Sequence, residues 1–532
     1  AKVSIECDKM CLSGYIDNAF VPFQQVKTKI AKSLVSNDLA QADFPTKSEP
    51  ACLVKSDPRW NHEKSPLISG VEKHFQHNLD FPKVLEKCVI DHLEIELLNH
   101  AKPIVTDVKV RSYKEAVCGL LDCVEYEPID ITTSVGWPLN MMTIAKKHAT
   151  RETLLQPIRD EQNRIIDINM AKEFEAILEE KNVLRSLGIV PCTVFWDHLK
   201  DERRPMEKLR RIGGTRVFSL SPLDFLLEYR RYHMDLFASY YANWQNLEHA
   251  VGINADSHDW TILATKLLGI GNNIICLDYS NFGPGLNARI ARAVSKYLSE
   301  WLLKYSVVDN VDAYRTKLAV MAEEVCAPLH LVQDMVYQTL SGIPSGHPGT
   351  TVVNTEVNKA YIKMAYMALV PKEYRDLTHF RKYVCLFCYG DDVIMSVADI
   401  LLEYFNGLTI LEWFKKFNVV VTSASKTGTM VECMTLKEAT FLKRGFAKHP
   451  TRDEWLAPLA INSVTDCAHW YHTTSEREAG TQVNVEQSLR LAYGHGPKNF
   501  ETWRTVLNNA IAKHRNLDPL SLDWNILDND IY

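Results

Sequence analysis

The fold is decided by residues 383–397, whose sequence is YVCLFCYGDDVIMSV. Two apolar runs rich in aromatic and β-branched residues flank Gly390-Asp391, a dipeptide that favours a tight hairpin turn. The pattern predicts two antiparallel strands with Asp391 and Asp392 at their tip. A hairpin turn favours Asp beside Gly for conformational reasons alone, so the tetrapeptide by itself leaves a structural role and a chemical role open.

A second buried strand supplies a third acid. Residues 274–279 (IICLDY) form a short apolar run that carries Asp278 close to its end. If this strand neighbours the hairpin in one sheet, Asp278, Asp391 and Asp392 converge, and like charges so close repel each other unless a cation lies between them. We therefore expect a hard-oxygen site for two Mg²⁺ or Mn²⁺ ions, which at about 4 Å separation can activate an attacking hydroxyl and stabilise a leaving pyrophosphate.

Between these strands lies a loop rich in glycine and proline, SGIPSGHPGT at residues 341–350. A helix is predicted from about residue 349 to 369, so Thr350 and Asn354 share one of its faces, while Ser345 lies on the loop that leads into it. Such groups are suited to bind a sugar hydroxyl. A helix cap with a flexible loop is the alternative explanation.

A basic segment precedes both strands. Residues 200–216 contain seven Lys or Arg against three Asp or Glu, a local charge of +4 in a chain whose net charge is −6. A flexible basic ribbon anchored at both ends suits a triphosphate, and a solvated charged surface is the alternative. Further on, Lys426 in the sequence TSASK is by itself typical of an ordinary surface lysine.

The composition excludes several classes of protein. With 532 residues, 46% hydrophobic and 24% charged, the chain is an ordinary globular protein and not a disordered, collagen-like or disulfide-scaffold one. No apolar run reaches the roughly 18 residues of a membrane span, and the 13 cysteines show no regular spacing, which indicates reduced thiols. Phosphate-loop, dinucleotide-binding and nucleophile-elbow motifs are missing from the sequence, which argues against helicases, dehydrogenases and α/β-hydrolases.

Taken together, the motifs resemble those of the RNA-dependent RNA polymerases of positive-strand RNA viruses in the picornavirus-like group, the 3D-type polymerases. The similarity is greatest to the insect picorna-like viruses, the iflaviruses and dicistroviruses. Seven matches follow the family's order: motif G at 133–138, motif F at 200–216, motif A at 278–282, motif B at 345–354, motif C at 389–392, motif D at 422–426 and motif E at 441–444.

The resemblance implies a role for each matching residue. Asp278 and Asp391 would ligate two Mg²⁺ or Mn²⁺ ions, with Asp392 assisting. The other implied roles are triphosphate contacts from Lys200, Lys208 and Arg216, ribose recognition by Ser345, Thr350 and Asn354, general-acid catalysis by Lys426, and RNA contacts from Thr133, Ser134, Gly136, Lys443 and Arg444. One position departs from the family pattern, because Gly283 stands where picornaviral enzymes carry a second motif A aspartate that helps to select the ribose.

The implied fold is α+β, a closed right hand of fingers, palm and helical thumb. We expect an N-terminal segment and fingers at 1–216, the first part of the palm at 217–283, a fingers insertion at 284–335, the second part of the palm at 336–447 and the thumb at 448–532. The irregular N-terminal segment is expected to reach from the fingers towards the thumb.

The implied function is RNA-templated RNA synthesis that replicates a positive-strand viral genome. Its partners would be RNA template and primer, nucleoside triphosphates and other viral replication proteins, in the host cytoplasm at membrane-associated replication complexes and with no membrane span of its own. Initiation from a viral protein primer and de novo initiation both stay open. A first residue Ala1 in place of Met fits release from a polyprotein. The alternatives are a reverse transcriptase-like polymerase and a catalytically inactive RNA-binding palm protein.

Overall fold

The computed structural model describes residues 10–75, 78–121, 123–144, 146–424 and 428–532. The strands are β1 (Met10–Tyr15), β2 (Ile30–Lys32), β3 (Ser48–Pro50), β4 (Thr143–Ile144), β5 (Lys147–His148), β6 (Pro157–Arg159), β7 (Ile165–Ile168), β8 (Val194–Leu199), β9 (Arg203–Pro205), β10 (Val217–Leu220), β11 (Ile274–Tyr279), β12 (Leu329–Val332), β13 (Met335–Thr339), β14 (Val384–Tyr389), β15 (Asp392–Val397), β16 (Val421–Ser423), β17 (Ala447–Lys448), β18 (Trp455–Leu456) and β19 (Trp470–His472). The α-helices are α1 (Ser36–Gln41), α2 (Pro66–Val71), α3 (Lys83–His100), α4 (Tyr113–Cys118), α5 (Arg151–Leu155), α6 (Lys172–Ser186), α7 (Met206–Leu209), α8 (Leu223–Ala242), α9 (His258–Ile270), α10 (Phe282–Gly285), α11 (Ala288–Tyr305), α12 (Val311–Cys326), α13 (Thr350–Leu369), α14 (Phe380–Tyr383), α15 (Asp399–Leu402), α16 (Gly407–Lys415), α17 (Ile461–His469), α18 (Arg477–Leu491), α19 (Pro497–Ile511) and α20 (Trp524–Ile531).

The central sheet is antiparallel and has the strand order β14-β15-β11-β16. Its β14–β15 hairpin is the one that the sequence predicts, with the last pair Tyr389↔Asp392 closed by a two-residue turn. Gly390 lies in this turn with a φ of +57°, a left-handed conformation that glycine adopts without strain. The sheet thus fixes the tip of the hairpin beside the end of β11.

Long helices pack behind this sheet and form the largest core. The predicted apolar stripe of α11 is fully buried, since Ile290, Val294, Tyr297 and Trp301 are each 1% exposed or less. The indole of Trp301 donates a hydrogen bond of 2.7 Å to the carbonyl of Ala101, and the hydroxyl of Tyr297 donates one of 2.6 Å to Glu356, so both buried polar groups of the stripe have partners. Helices α3, α8 and α13 contribute buried residues to the same core, which therefore supports the central sheet from one side.

A second sheet has five strands in the order β1-β13-β12-β8-β10. Its β8–β12 pair is parallel and the other pairs are antiparallel. The expected domain division would separate these strands, because β10 falls in the predicted range 217–283 and most of β13 in the range 336–447. Both strands are hydrogen-bonded into the sheet that contains β8, and β8 lies in the range 1–216 that is predicted as N-terminal segment and fingers. The domain division itself stays a prediction.

The C-terminal helices enclose a separate core that also takes in the N-terminal segment. Val35 and Leu39 are both 0% exposed and lie among apolar residues of α17 to α20. The strand β2 pairs with β19, and β3 pairs with β9 in the basic segment. The segment from residue 30 to 50 therefore runs between the basic segment and the C-terminal helices, as the sequence predicts. The tryptophans predicted as packing anchors are buried: Trp455, Trp470, Trp503 and Trp524.

One helix prediction is wrong. The pattern at residues 399–417 predicts a single helix, whereas the structure has α15 and α16 with a break between them. Asn406 causes the break, because its side chain caps α16 by accepting hydrogen bonds from the backbone N–H groups of Leu408 and Thr409. Among the described residues, every helix is too short or too polar to span a membrane.

A buried ion pair joins α6 to α12. Arg185 donates two hydrogen bonds of 2.8 Å to Glu324, and the hydroxyl of Thr193 donates a third, of 2.6 Å, to the same carboxylate. We expect Glu324→Ala to lower the free energy of unfolding by about 3–5 kcal/mol, because it leaves a guanidinium buried without its partner. Chemical denaturation measures this loss.

The exposed pair Lys87–Asp91 provides the matched control. Asp91→Ala should change the free energy of unfolding by less than about 1 kcal/mol. A loss for Glu324→Ala no larger than that of the control would contradict the assignment.

Candidate active site

Three acids meet where two neighbouring strands of the central sheet end. The pairing of β11 with β15 runs as far as Leu277↔Val393, and one further residue in the same register places Asp278 opposite Asp392. Asp391 occupies the hairpin turn immediately before Asp392. Strands β11 and β15 are therefore neighbours, and the three acids converge as expected from the sequence on that condition.

Their mutual repulsion is visible in the pKa values of the three acids. Loss of hydration, and after it the charges of Asp391 and Asp278, raise the pKa of Asp392 to about 7, against the opposing charge of Lys443. Loss of hydration also raises the pKa of Asp391, where the charge of Asp278 adds to it and Arg216 opposes it. For Asp278 itself, loss of hydration again raises the pKa. Each carboxylate is thus more costly to ionise here than in water, unless a cation shares the site.

The chemistry of these donors fits Mg²⁺ or Mn²⁺, which prefer carboxylate oxygens. Within the described ranges, no set of three or more His, Cys, Asp or Glu side chains is arranged to hold an ion by itself. This matches the usual coordination of Mg²⁺, which takes one or two carboxylates and completes its shell with water and substrate phosphates. The assignment of Asp278 and Asp391 as metal ligands, with Asp392 assisting, stays a prediction.

A cleft of about 540 Å³ opens over the acids, and it has the size of a small-molecule site. It is lined by Ile253, Ala255, Thr350, Thr351, Asn354, Tyr389, Gly390, Asp391, Asp392, Leu442 and Lys443. The buried Oδ1 atom of Asn354 has no hydrogen-bond partner among the described residues. The hydroxyl of Thr350, by contrast, is already directed at the carbonyls of Pro344 and His347, at 2.9 and 2.8 Å.

The loop before α13 packs tightly on strand β10. Exposed Ser345 accepts a hydrogen bond of 3.1 Å from the backbone N–H of Ser219. Gly346 approaches the same strand so closely that a Cβ atom there would lie 2.3 Å from the carbonyl oxygen of Ser219. A glycine is required at this position, and the contact ties the predicted ribose-binding loop to the end of the basic segment.

Glu202 organises the basic segment. Its carboxylate forms a two-pronged ion pair with Arg216 and lies 3.6 Å from the ammonium of Lys200. Lys208 is exposed, and its charge opposes the rise in the pKa of Asp278. The charge of Arg216 similarly opposes the rise in the pKa of Asp391. Two of the three predicted triphosphate ligands therefore act electrostatically on the acids.

The predicted template segment divides into exposed and buried residues. Thr133 and Ser134 are exposed and available to a ligand. Gly136 is buried with a φ of +78°, and a Cβ atom there would lie 2.7 Å from the Cα atom of Pro222. Gly136 therefore has a packing role, because a side chain there would collide with the backbone of Pro222, and its expected RNA contact stays a prediction.

The two basic residues of motif E have different surroundings. Lys443 is exposed, lines the cleft and acts on the acids. Arg444 is paired with Asp256 at 2.7 Å and donates to the carbonyl of Ala457 at 2.9 Å, so its guanidinium is committed to the fold rather than to RNA. Lys426, the predicted general acid, lies outside the described residues.

Several residues of the cleft were not anticipated from the sequence. Thr351, Tyr389 and Leu442 line it, as do Ile253 and Ala255 from the loop before α9. Thr351 and Tyr389 are sequence neighbours of predicted site residues, so their place beside the cleft could have been inferred from the sequence. Ile253 and Ala255 are distant in sequence and carry no chemical signature, so only the fold identifies them.

An antiparallel sheet that presents three acids to a cleft, with a basic segment whose charges act on them, is the palm of a right-hand polymerase. Residues 37–507 match the family described as "Viral RNA-dependent RNA polymerase", and the chain belongs to this family. The predicted resemblance is thereby confirmed.

The most similar relatives include viral polyproteins. The chain is 36% identical over 501 residues to the "Genome polyprotein" of Deformed wing virus, covering 94% of the chain and 17% of that protein. It is 28% identical over 514 residues to the "Replicase polyprotein" of Acute bee paralysis virus, covering 92% of the chain and 25% of that protein. The chain thus spans a quarter or less of these two relatives. Among solved structures, "Sicinivirus 3Dpol RNA dependent RNA polymerase" matches with a TM-score of 0.77 at 21% identity, over 96% of each chain, which shows the shared fold.

The raised pKa of Asp392 predicts a pH-dependent change in stability. Because this pKa is higher in the folded state, the ionised carboxylate destabilises the fold fully above about pH 7 and not at all below the ordinary pKa near 4. At about pH 8 and without metal, Asp392→Asn should therefore raise the free energy of unfolding by about 2 kcal/mol, after allowance for partial exposure.

Denaturant titrations over a pH series with a chelator present measure this effect. The gain should shrink steadily as the pH falls from about 7 towards 4. Asp309→Asn, at an exposed loop position, should show no such trend. A gain for Asp392→Asn that does not vary with pH would contradict the electrostatic explanation.

Proposed function

We propose that this chain catalyses RNA-templated RNA synthesis by nucleotidyl transfer and thereby replicates a positive-strand RNA virus genome. The observation that carries the proposal is the meeting of Asp278 with Asp391 and Asp392 beneath a cleft to which Lys443 also contributes. Membership of the viral RNA-dependent RNA polymerase family supports the same activity.

Asp278 and Asp391, assisted by Asp392, are the residues that would hold two Mg²⁺ or Mn²⁺ ions. When bound, such ions supply Lewis-acid activation of the primer 3′-hydroxyl and charge neutralisation at the pyrophosphate. The chain itself holds the carboxylates in a poorly hydrated cleft, where their repulsion is relieved when a cation binds between them.

The basic segment is proposed to bind the triphosphate. Arg216 already presents its guanidinium in the two-pronged geometry that a phosphate accepts, with Glu202 in the partner position. Lys208 and Lys200 add positive charge from the same segment, which stabilises negative charge that develops during transfer. Lys426 remains the proposed general acid for the pyrophosphate, on the strength of its place in motif D.

Ribose recognition is proposed to depend chiefly on Asn354. Its buried Oδ1 lacks a partner among the described residues and lines the cleft, so it can accept a hydrogen bond from a 2′-hydroxyl. Ser345 is exposed and can contribute its hydroxyl. Thr350 is better suited to hold the loop in place, because its hydroxyl already contacts two loop carbonyls.

For the RNA, we propose contacts with template at Thr133 and Ser134 and with primer at Lys443, the members of the predicted set that are exposed. Other viral replication proteins, and a viral protein primer where initiation uses one, are the proposed partners. We propose that the enzyme acts in the host cytoplasm at membrane-associated replication complexes, which the polyprotein origin of its relatives supports. Imaging of the chain in infected cells tests this location.

A primer-extension assay on an RNA template, with Mg²⁺ or Mn²⁺ and each nucleotide set, tests the activity. Extension with ribonucleotides is the expected result. Preferential use of deoxyribonucleotides would instead identify a reverse transcriptase-like enzyme, and RNA binding without extension would identify an inactive palm.

Asp391→Asn is expected to reduce elongation by more than about 100-fold, because the amide cannot supply an anionic oxygen to a metal ion. RNA affinity should change little, since the proposed role of Asp391 is to hold a metal ion and not to contact RNA. Single-turnover extension and RNA-binding titrations measure the two quantities. Asp530→Asn, at an exposed position of α20, is the control, and undiminished elongation by Asp391→Asn would refute the metal assignment.

Gly283→Asp tests how the ribose is selected. A Cβ atom at Gly283 would meet nothing within 4 Å, so the pocket has room for the aspartate that related enzymes carry there. We expect the substitution to increase discrimination against deoxynucleotides by about tenfold, through an added hydrogen-bond acceptor near the sugar. Ratios of kcat/KM for ribo- and deoxynucleotides measure it. Gly283→Ala, which adds bulk without polarity, should leave the ratio unchanged, and an equal effect of both variants would exclude a polar role.

A further inference from the structure

The backbone of the metal-binding turn is held by side chains of helix α13. The N–H group of Gly390 donates to the hydroxyl of Thr355 at 2.8 Å, and the carbonyl of Gly390 accepts from the side-chain amide of Asn358 at 2.9 Å. Thr355 and Asn358 are three residues apart and so lie on one face of the helix. Turn residues of two-residue hairpins commonly leave such groups to water, whereas here both are satisfied by buried partners.

Asn358 also contacts the strand that carries the first acid. Its Oδ1 atom accepts a hydrogen bond of 3.0 Å from the hydroxyl of Tyr279, the neighbour of Asp278 on β11. Its Nδ2 atom further approaches the carbonyl of Asp392 at 3.5 Å. One amide therefore joins the strand of motif A, the helix of motif B and the turn of motif C.

The donors and acceptors of this junction are mutually consistent. The hydroxyl of Thr355 donates to the carbonyl of Thr351 at 2.7 Å, which leaves its lone pairs for the N–H of Gly390. Asn358 uses its oxygen towards Tyr279 and its nitrogen towards the turn. Thr355 and Asn358 are both 0% exposed, so water does not compete for these bonds.

We propose that Thr355 and Asn358 are positioning residues that fix Asp391 relative to Asp278 and so set the affinity of the site for divalent cations. The inference rests on the proposed function, because it concerns the same metal site. The two residues touch neither substrate nor metal. They act through the backbone of Gly390 and through Tyr279.

The physical reason lies in the repulsion between the acids. Carboxylates held at the ends of two paired strands repel each other and push the turn away from β11, and a two-residue turn has few bonds of its own to resist. Hydrogen bonds from a rigid helix hold the turn in place before a cation arrives, and ligands that are fixed in advance bind metal more tightly. Asn354 lies on the same helix, so the helix also fixes the position of the proposed ribose-binding group relative to the proposed metal-binding turn.

The test is a titration with Mn²⁺ alone, followed by electron paramagnetic resonance, in the absence of RNA and nucleotide. Thr355→Val should weaken Mn²⁺ binding by about tenfold, because the valine cannot accept the N–H of Gly390. Tyr279→Phe, which removes only the hydroxyl, should weaken it by about threefold. Thr355→Ser restores the hydroxyl and should bind Mn²⁺ as the wild type does.

Matched controls separate positioning from general stability. Tyr366→Phe removes a buried hydroxyl on the same helix, whose bond goes to the carbonyl of Tyr374. Thr481→Val removes a buried threonine hydroxyl that accepts a backbone N–H from Leu34, among the C-terminal helices. Both should bind Mn²⁺ with wild-type affinity even where they lower the unfolding temperature.

Wild-type Mn²⁺ affinity in folded Tyr279→Phe and Thr355→Val would overturn the proposal, as would equal losses in the controls. If Thr355→Val does not fold, Tyr279→Phe decides alone. A parallel extension assay separates the two levels of inference. If the variants bind Mn²⁺ more weakly as expected but the wild type does not extend RNA, the proposed function is contradicted and the positioning role is supported. If the wild type extends RNA but the variants bind Mn²⁺ with unchanged affinity, only the positioning role is contradicted.

Discussion

Three carboxylates held against their own repulsion are the constraint on which the rest of the site depends. The antiparallel register of β11 and β15 brings Asp278 level with Asp392, and a two-residue turn leaves Asp391 no freedom to withdraw. Partners from several parts of the chain offset the resulting strain. Lys443 supplies positive charge from the motif E turn, Arg216 supplies it from the basic segment, and α13 binds the backbone of the turn. The repulsion at this site falls when a cation lies between the acids, which is the physical basis of the proposed metal site.

The groups that surround these acids come from positions far apart in the chain, and the fold joins them by a small number of direct contacts. The hydroxyl of Ser345 and the backbone of Ser219 link the ribose-binding loop to the strand that ends the basic segment. Within that segment, Glu202 forms ion pairs with both Arg216 and Lys200. The basic segment in turn pairs through β9 with β3 of the N-terminal segment. The net charge of the whole chain is −6, because 66 Asp and Glu exceed 60 Lys and Arg, whereas residues 200–216 carry a local charge of +4.

Local patterns predicted the parts of the fold that depend on near neighbours. The helix at residues 350–369 and the hairpin at its predicted turn follow from residue pattern and turn chemistry, which are contained in a short stretch of sequence. The meeting of Asp278 with Asp391 could be stated only on the condition that their strands are neighbours. Features that require a distant partner were missed: Arg444 pairs with Asp256, and Gly136 packs on Pro222. Thr355 and Asn358 had a weak signal, as polar residues on the buried side of a long helix, but nothing local identifies what they bind.

The burial of Val35 and Leu39 among the C-terminal helices has a consequence for how the protein folds during synthesis. These residues leave the ribosome before the apolar surface that covers them, which is encoded more than 400 and up to almost 500 residues later. At about 5–20 residues per second, translation separates the two events by roughly half a minute to more than a minute and a half. During that interval the segment around α1 has no native core to enter, so it must stay soluble or be shielded by a chaperone. The core around α1 therefore forms only after the C-terminal helices have been synthesised.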